Sequence, residues 1–250
     1  MCTVTFIPQT NGFILTHNRD EASSRSPKDI VLEKNQVGHS LVFPRDAQAG
    51  GTWFVTSDGG RTACLLNGAF VLHTRQLPYR RSRGLILLDL FDWSNPDAFF
   101  RDYDLERIEP FTLLFFEQKT APSPHTRVLE FRWDGEKRYL RELSGEEPHF
   151  WCSATLYPAA MQEKREQVFV EWLTQFSTVQ DISSTAISHL HRTGSVGDPA
   201  NDYIMNRGGK VQTLSITQVL VDEKNAQMHY ADLLEGNESK RRLVRRKRSD

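Results

Sequence analysis

The chain has 250 residues, of which 38% are hydrophobic and 25% are charged. These fractions are typical of a water-soluble globular protein, and the length suits one large domain. The longest apolar runs, such as residues 113–116, are far shorter than the roughly 20 residues that cross a bilayer, so we expect no membrane span. The first residues lack the basic and apolar regions of a secretory signal, which favours a cytoplasmic location.

The cysteines and the distribution of charge argue against several further classes of protein. Cys2, Cys64 and Cys152 are odd in number and widely spaced, which indicates neither a disulfide framework nor a CxxC-type metal site. Seven of the 31 basic residues lie within residues 240–248, so the rest of the chain is acidic. Because an acidic surface repels phosphate, we expect no nucleic acid partner. We interpret residues 235–250 as a charged, flexible tail.

The pattern of apolar and polar residues predicts eleven strands and four helices. Strands are expected at residues 2–7, 12–19, 29–33, 52–56, 62–67, 111–117, 126–133, 137–142, 149–154, 211–221 and 226–232. Helices are expected at residues 82–93, 96–103, 159–176 and 181–192. Because the helices come in two pairs between blocks of strands, they should cover the faces of antiparallel sheets, which makes the fold class α+β. Residues 121–125 are interpreted as a hairpin-type connection, and residues 1–234 as a single domain.

The first two predicted strands are joined by the turn-forming sequence PQTNG, so they should form an antiparallel hairpin. If the turn is centred on Thr10, Asn18 pairs with Cys2 and Arg19 lies one step away. A slip of one residue would exchange which of the two side chains shares a face with Cys2. In either register, the polar segment HNRDE at residues 17–21 surrounds the start of the chain.

A cysteine at position 2 is a candidate N-terminal nucleophile. Its side chain is small, so we expect Met1 to be removed, which leaves Cys2 with a free α-amine. Such an amine and a thiol normally have pKa values near 8 and about 8.5, so one residue can supply both the nucleophile and its base. A nearby guanidinium stabilises a thiolate, and a carboxylate can orient the ammonium group. The alternative is a partly buried strand residue beside a structural Arg–Asp pair.

Four motifs follow one another in the order found in the NRDE family, which the sequence resembles: MCT, HNRDE, FPRDAQAGGTW and LLNGAF. The family includes the homologues of transport and Golgi organisation protein 2. The likeness extends from Met1 to about Leu234 and also takes in YRRSRG, SATLYP and SITQV. The family is related to N-terminal nucleophile hydrolases of the penicillin V acylase and bile salt hydrolase group. The resemblance therefore implies a four-layer αββα sandwich.

The resemblance also implies catalytic roles. It makes Cys2 the nucleophile, Asp20 the carboxylate that holds the freed amine, and Asn67 a hydrogen-bond donor to the tetrahedral oxyanion. Asn67 can alternatively be a strand-end residue that caps the turn NGAF. The acylases have an arginine where this chain has His17, so Arg19 must reach the thiol from a neighbouring position or serve another role.

Three further residues are candidates for contact with the substrate: Asn18, Trp53 and Lys210. Arg207 is the alternative to Lys210 for a late basic residue of the acylases, and Trp53 can equally be a core residue. The second asparagine of the acylases should fall in SATLYP, where this chain has Ala154. This departure counts against hydrolase activity.

Two functions from different classes fit the sequence. The first is a cysteine-type N-terminal nucleophile amidohydrolase or acyl transferase that acts on a small amide or acyl substrate. The second is a non-catalytic protein that binds or transports a hydrophobic metabolite such as haem or an acyl lipid. The partner is a small molecule in both cases. The sequence contains no HExxH, P-loop or GxGxxG motif, and a solvated pair suits His189 and His191 better than a metal site, so no cofactor is implied.

Overall fold

The structure, a computed structural model of the chain, describes residues 2–25, 29–119 and 125–246. The first sheet contains β1 (Cys2–Gln9), β2 (Gly12–Glu21), β10 (His149–Cys152), β11 (Gln212–Val221), β12 (Asn225–Asp232) and β13 (Glu238–Val244). The second contains β3 (Ile30–Lys34), β4 (Ser40–Pro44), β5 (Phe54–Ser57), β6 (Arg61–Asn67), β7 (Phe111–Lys119), β8 (His125–Trp133) and β9 (Arg138–Leu143). The helices are α1 (Arg83–Asp92), α2 (Pro96–Asp102), α3 (Ala159–Leu173) and α4 (Ser184–Thr193). The connection predicted at residues 121–125 lies, except for His125, outside the described residues.

All neighbouring strands are antiparallel. The first sheet has the order β10-β1-β2-β11-β12-β13 and the second the order β3-β4-β5-β6-β7-β8-β9. In the second sheet the strands therefore follow the order of the chain. In the first sheet, the N-terminal hairpin β1–β2 is inserted between β10 and β11, which places the start of the chain in the middle of a sheet.

The two sheets pack face to face, and helices cover both outer faces. Phe6 of β1 lies 5.3 Å from Phe116 of β7, between their ring centroids, in the core between the sheets. A second core joins the outer face of the second sheet to α1 and α2. A third joins β1 and β2, through side chains such as Ile14, to α3 and α4. This arrangement is the αββα sandwich, so the predicted fold class is confirmed.

Two strands of the structure are not predicted by the sequence pattern. The apolar part of β4 is only three residues long and ends at Pro44, which is too short for a strand signal. β13 falls within residues 235–250, so the interpretation of that segment as a tail is wrong for Glu238–Val244. Its side chains are mostly charged and exposed except for the buried Leu243, as is typical of an edge strand that is protected against aggregation.

The fourth helix also begins later than its pattern predicts. Asp181 belongs to a separate 3₁₀ turn, where its carboxylate accepts from the backbone N–H and the hydroxyl of Thr178. The helix starts after Ser183, whose hydroxyl accepts a hydrogen bond of 3.1 Å from the N–H of Ala186. A serine cap therefore outcompetes the aspartate as the start of α4.

Candidate functional site

The N-terminal hairpin has a different register from the predicted one. Only two residues separate Gln9 from its partner Gly12, so Cys2 lies opposite Arg19 and not opposite Asn18. Directly opposed residues of an antiparallel pair point to the same face. Cys2 and Arg19 therefore face the second sheet, whereas Asn18 faces the helices. The prediction that Asn18 pairs with Cys2 is wrong by one residue because the turn is centred between Thr10 and Asn11 and not on Thr10.

A cleft between the two sheets brings together four of the seven predicted site residues: Cys2, Arg19, Trp53 and Asn67. The other lining residues come from the ends of strands and from the start of α1: Glu21, Arg25, Asp46, Ala49, Gly51, Thr52, Leu65 and Ser82–Gly84. The cleft is open to solvent and has a cavity volume of about 80 Å³. A space of this size holds the reacting group of a substrate and not a whole drug-sized molecule.

The guanidinium of Arg19 is fixed by residues that precede β5. It lies 3.8 Å above the ring centroid of Trp53 and donates to Oδ2 of Asp46 at 2.6 Å. Arg25 donates to the same oxygen at 2.7 Å. Burial opposes ionisation of Asp46, but the N–H of Ala49 and the two guanidinium groups outweigh it and lower the pKa of the carboxyl. Arg19 therefore joins the two sheets at the cleft, and no hydrogen bond links it to the thiol of Cys2 within the described part of the chain.

One wall of the cleft is formed by two backbone segments in close contact. The N–H of Thr52 donates to the carbonyl of Gly84 at 3.1 Å. A Cβ atom on Gly51 would lie 2.4 Å from the carbonyl carbon of Gly84, which is closer than non-bonded atoms can approach. The glycines of the GGTW and YRRSRG motifs are thus needed for the start of α1 to reach the cleft.

The thiol of Cys2 is buried at the end of the cleft. Burial raises the pKa of this thiol, and the charge of Asp20 adds to the rise. The guanidinium of Arg19 acts in the opposite direction but does not reverse the effect. Arginine alone therefore does not make this cysteine a thiolate, and activation requires a base next to the sulfur.

Asp20 carries a buried carboxyl group on the other face of β2. Its Oδ1 accepts from the hydroxyl of Thr213 at 2.7 Å, and its Oδ2 accepts from the hydroxyl of Tyr157 at 3.2 Å. No ion pair to Asp20 occurs among residues 2–25, 29–119 and 125–246. Burial raises the pKa of this carboxyl, while the charge of Arg165 lowers it. Within these ranges two hydroxyl donors hold the carboxyl group, and its charge is close enough to raise the pKa of the Cys2 thiol.

Arg165 of α3 lies beside the site but is not among the site residues predicted from the sequence. Its side chain is buried, and it donates to the carbonyls of Asn201 and Asp202 and to the hydroxyl of Thr3, next to the nucleophile candidate. The guanidinium also stacks over the ring of Tyr157 at 4.1 Å. The signal for its burial is its spacing of four residues from the buried Phe169, which places both side chains on one helix face.

Ser153 ties the nucleophile strand to the strand that ends in Asn67. Its N–H donates to the carbonyl of Cys2 at 3.0 Å, and its hydroxyl donates to the carbonyl of Asn67 at 2.7 Å. The position of Asn67 relative to Cys2 is therefore set by the first residue of SATLYP. Ala154 follows it and adds no side-chain donor, so the described site contains one amide side chain beside the nucleophile.

Asn18 lies away from the cleft, and its side chain is fully occupied by structural contacts. The amide donates to the carbonyls of His191 and Tyr203, both at 2.9 Å. Its Oδ1 must then accept from Nδ1 of His191 at 2.7 Å, which leaves Nε2 of that ring to accept from the hydroxyl of Thr5 at 2.8 Å. His191 is thus buried and neutral, not solvated as predicted, and burial lowers its pKa to about 3.

The structure does not bring the late basic residues to the cleft either. Lys210 is exposed in the turn that precedes β11. Arg207 is held by the carbonyl of Leu156 at 3.1 Å and by Oδ1 of Asn201 at 2.8 Å. His17 faces the second sheet, where its ring packs edge-on against Phe54, and burial lowers its pKa well below the usual value. It therefore replaces the arginine of the acylases with a neutral side chain.

The family model of Transport and Golgi organisation 2 matches residues 1–232. The chain belongs to this family. The resemblance to the NRDE family is thereby confirmed. A search of curated proteins finds no match.

Solved structures share the fold of this Transport and Golgi organisation 2 family member. A mutant of the conjugated bile acid hydrolase from Clostridium perfringens superposes with a TM-score of 0.58 and 9% sequence identity, covering 96% of this chain and 92% of that chain. A second variant of the same hydrolase gives the same TM-score, identity and coverage. The Caenorhabditis elegans ortholog of N-acylethanolamine-hydrolyzing acid amidase has a TM-score of 0.57 and 12% identity, over 87% of this chain and 92% of that chain. These neighbours have N-terminal nucleophile hydrolase folds.

Two further features bear on the chemistry of this family member. Among the described residues, no group of three or more His, Cys, Asp or Glu side chains could hold a metal ion. No helix in the same ranges is long and apolar enough to cross a membrane.

Proposed function

We propose that this protein is a cysteine-type N-terminal nucleophile amidohydrolase or acyl transferase that acts on a small amide or acyl substrate. The observation that carries the proposal is the juxtaposition of Cys2 and Asn67 in one cleft, with the buried Asp20 behind them. Burial raises the pKa of the Asp20 carboxyl, and the α-ammonium of a processed Cys2 is a cation that can stabilise its ionised form. The names of the structural neighbours, a bile acid hydrolase and an N-acylethanolamine hydrolase, support an acyl amide as the substrate.

The reaction begins when Met1 has been removed. The α-amine of Cys2 accepts the thiol proton, and Sγ attacks the carbonyl carbon of the substrate. The carbonyl oxygen becomes an oxyanion and accepts a hydrogen bond from the side-chain amide of Asn67. The carbon–nitrogen bond then breaks, and the proton on the α-amine moves to the departing amine, which leaves the acyl group on Sγ as a thioester.

The second half of the reaction releases the acyl group. A water molecule, or an acceptor in the case of transfer, gives a proton to the α-amine and attacks the thioester carbonyl. Asn67 again donates to the oxyanion, and the thiol of Cys2 leaves with the proton that the amine returns. Asp20 orients the amine throughout both halves. Arg19 holds Trp53 and Asp46 in place and so shapes the cleft.

The alternative is a non-catalytic binding or transport protein for a hydrophobic metabolite such as haem or an acyl lipid. Two observations favour it: burial raises the pKa of the Cys2 thiol, and Ala154 supplies no second amide donor. In that case Cys2 is a ligand or has no chemical role. The cleft is then a binding site whose affinity does not depend on the nucleophile.

Three proteins separate the two functions: the wild type, Cys2→Ser and Cys2→Ala. The hydrolase predicts that hydrolysis of acyl amides is lost in both variants while the fold persists, since serine lacks the readily ionised sulfur and alanine leaves only a small cavity. A carrier predicts that the binding of haem or fatty acyl compounds is retained in both variants, or falls in both if the sulfur is a ligand. Unchanged hydrolysis in Cys2→Ala would refute the nucleophile assignment.

A further inference from the structure

The connection between β6 and α1, residues 68–82, is long and has no regular secondary structure. We call it the 68–82 loop. It begins directly after Asn67 and ends at Ser82–Gly84, and residues at both of these ends line the cleft. Loops of this length without secondary structure are uncommon in compact domains and usually serve binding or catalysis.

The tip of the 68–82 loop exposes apolar side chains. Val71, Leu72 and Leu77 are 71%, 72% and 70% exposed, although the protein buries most side chains of this kind. Phe70 is half exposed and its ring lies 5.0 Å from that of Tyr139 on β9, in an edge-to-face arrangement. A cluster of exposed apolar residues on one loop indicates a surface that is covered by a partner.

The loop itself carries positive charge. No acidic residue occurs between Gly68 and Leu88 in the sequence. The side chain of Arg75 is 65% exposed, and its carboxylate partner Glu109 is only 12% exposed and also pairs with Arg83 at 3.1 Å. The largely buried carboxylate of Glu109 thus pairs with two guanidinium groups, of which that of Arg75 faces solvent.

A second shared carboxylate lies near Phe70 of the loop. Glu130 is buried and pairs with Arg132 at 2.9 Å and with Arg141 at 3.7 Å. Arg132 lies over the ring of Phe70, and Arg141 is highly exposed on the same strand face as Tyr139. Two exposed guanidinium groups, those of Arg75 and Arg141, therefore accompany the exposed apolar side chains of the loop, and the carboxylates that they share are largely buried.

We propose that the 68–82 loop docks the protein onto an anionic lipid surface. Val71, Leu72 and Leu77 enter the boundary between head groups and acyl chains, and Arg75 and Arg141 contact head-group phosphates. A second copy of the chain fits this surface poorly, because two such faces would bring the exposed arginines of both copies together. Since the loop begins and ends at the cleft, docking would bring the cleft close to lipid. The proposal does not depend on Cys2 being a nucleophile.

Sedimentation with vesicles tests the proposal on the full chain. We expect the wild type to bind phosphatidylcholine vesicles that contain phosphatidylserine at least about tenfold more tightly than vesicles of phosphatidylcholine alone, because each arginine near the surface adds to the attraction. Introducing Val71→Asp and Leu72→Asp together should weaken binding by at least about tenfold. Arg75→Glu should reduce the preference for phosphatidylserine. All of these side chains are exposed, so thermal unfolding should show that the variants remain folded.

Val244→Asp is the matched control, because Val244 is 73% exposed but lies on the edge strand β13. It should bind vesicles like the wild type, and so should Cys2→Ala. The proposal is overturned if the wild type does not bind the anionic vesicles, or if the double variant binds them as well as Val244→Asp does. Self-association without vesicles that is abolished by the double variant would also overturn it, since the loop would then be a contact between copies.

Discussion

At the scale of single residues, the segment HNRDE is explained by the alternation of a strand. Arg19 and Glu21 line the cleft, whereas Asn18 and Asp20 point to the layer of α3 and α4. The run of polar residues therefore does not form one cluster. Each side chain meets a different partner, and the strand end serves both faces of its sheet at once.

The reactivity of Cys2 should depend on the removal of Met1. Burial raises the pKa of its thiol, and removal of Met1 gives Cys2 an α-amine of its own that can act as the base. We expect iodoacetamide near neutral pH to alkylate Cys2 at least about ten times faster in the processed chain than in one that retains Met1. Peptide mapping measures this rate, and the buried Cys64 is the internal control. Equal rates in the two chains would contradict the role of the amine.

The amide of Asn67 should matter for the rate and little for stability. Asn67→Ala removes a donor to the oxyanion, so kcat should fall by roughly 10²- to 10³-fold with a smaller change in KM. Its backbone carbonyl still accepts from Ser153, so the free energy of unfolding should change by less than about 1 kcal/mol. Asn11→Ala, in the turn at the far end of the hairpin, is the control and should leave kcat unchanged. An unaltered kcat in Asn67→Ala would assign this residue to the strand end alone.

The neutral His191 predicts a pH dependence of stability. Burial lowers its pKa to about 3, whereas an unfolded chain has the ordinary value near 6.5. The unfolded state therefore binds the proton first, and the free energy of unfolding should fall by up to about 1.4 kcal/mol per pH unit as the pH drops below about 6.5. Denaturant unfolding between about pH 7 and pH 5 measures this slope. It should be smaller in His191→Gln and unchanged in His189→Gln, whose side chain is exposed on the same helix; equal slopes in all three proteins would contradict the argument.

At the scale of elements, the site depends on contacts between segments that are far apart in sequence. Ser153 connects the start of β1 to the end of β6, and Arg165 of α3 bonds to Thr3 beside Cys2. The apolar patterns predict a strand at residues 149–154 and a helix at residues 159–176, which correspond to β10 and α3. Their contacts with the site could not be predicted, since the pattern of one segment says which face is buried but not which polar atoms it meets.

Arg165 should influence the cleft through Asp20. Its positive charge lowers the pKa of this carboxyl, so Arg165→Met should raise that pKa further. In the processed chain, the acid limb of the pH profile of Cys2 alkylation should therefore move to higher pH. The variant should also be less stable, because the hydroxyl of Thr3 and two carbonyls lose their donor. Arg61→Met removes a well-paired arginine from β6, near Glu117, and should leave the pH profile unchanged; a profile that Arg165→Met also fails to move would contradict the link to Asp20.

The register of the hairpin is a second feature that the sequence does not determine. The sequence PQTNG marks a turn, but it does not decide between a turn centred on one residue and one that has two residues between paired positions. The structure has the second, and this difference of one residue moves Arg19 to the face of Cys2. Charged edge strands such as β13 escape prediction for another reason, because they have almost no apolar pattern to read.

At the scale of the whole molecule, two layers of helices enclose two antiparallel sheets, and the cleft opens where the starts and ends of their strands meet. The order of strands and paired helices predicts antiparallel sheets that are covered by helices. The resemblance to the NRDE family implies the four-layer sandwich, and its motifs locate Cys2, Asp20 and Asn67. Arg25, Asp46 and Ser153 enter the site only through the folded chain. These residues lie in short connections, where side chains meet by long-range packing.

Mass spectrometry of the intact, acid-quenched protein tests the central claim most directly. The purified chain should have lost Met1, and incubation with acyl amides should add the mass of one acyl group to the wild type and none to Cys2→Ala. Fragmentation should place that group on Cys2, and the free amine should appear as the product. A chain that keeps Met1, or an adduct that persists in Cys2→Ala, would contradict the assignment of Cys2 as an N-terminal nucleophile.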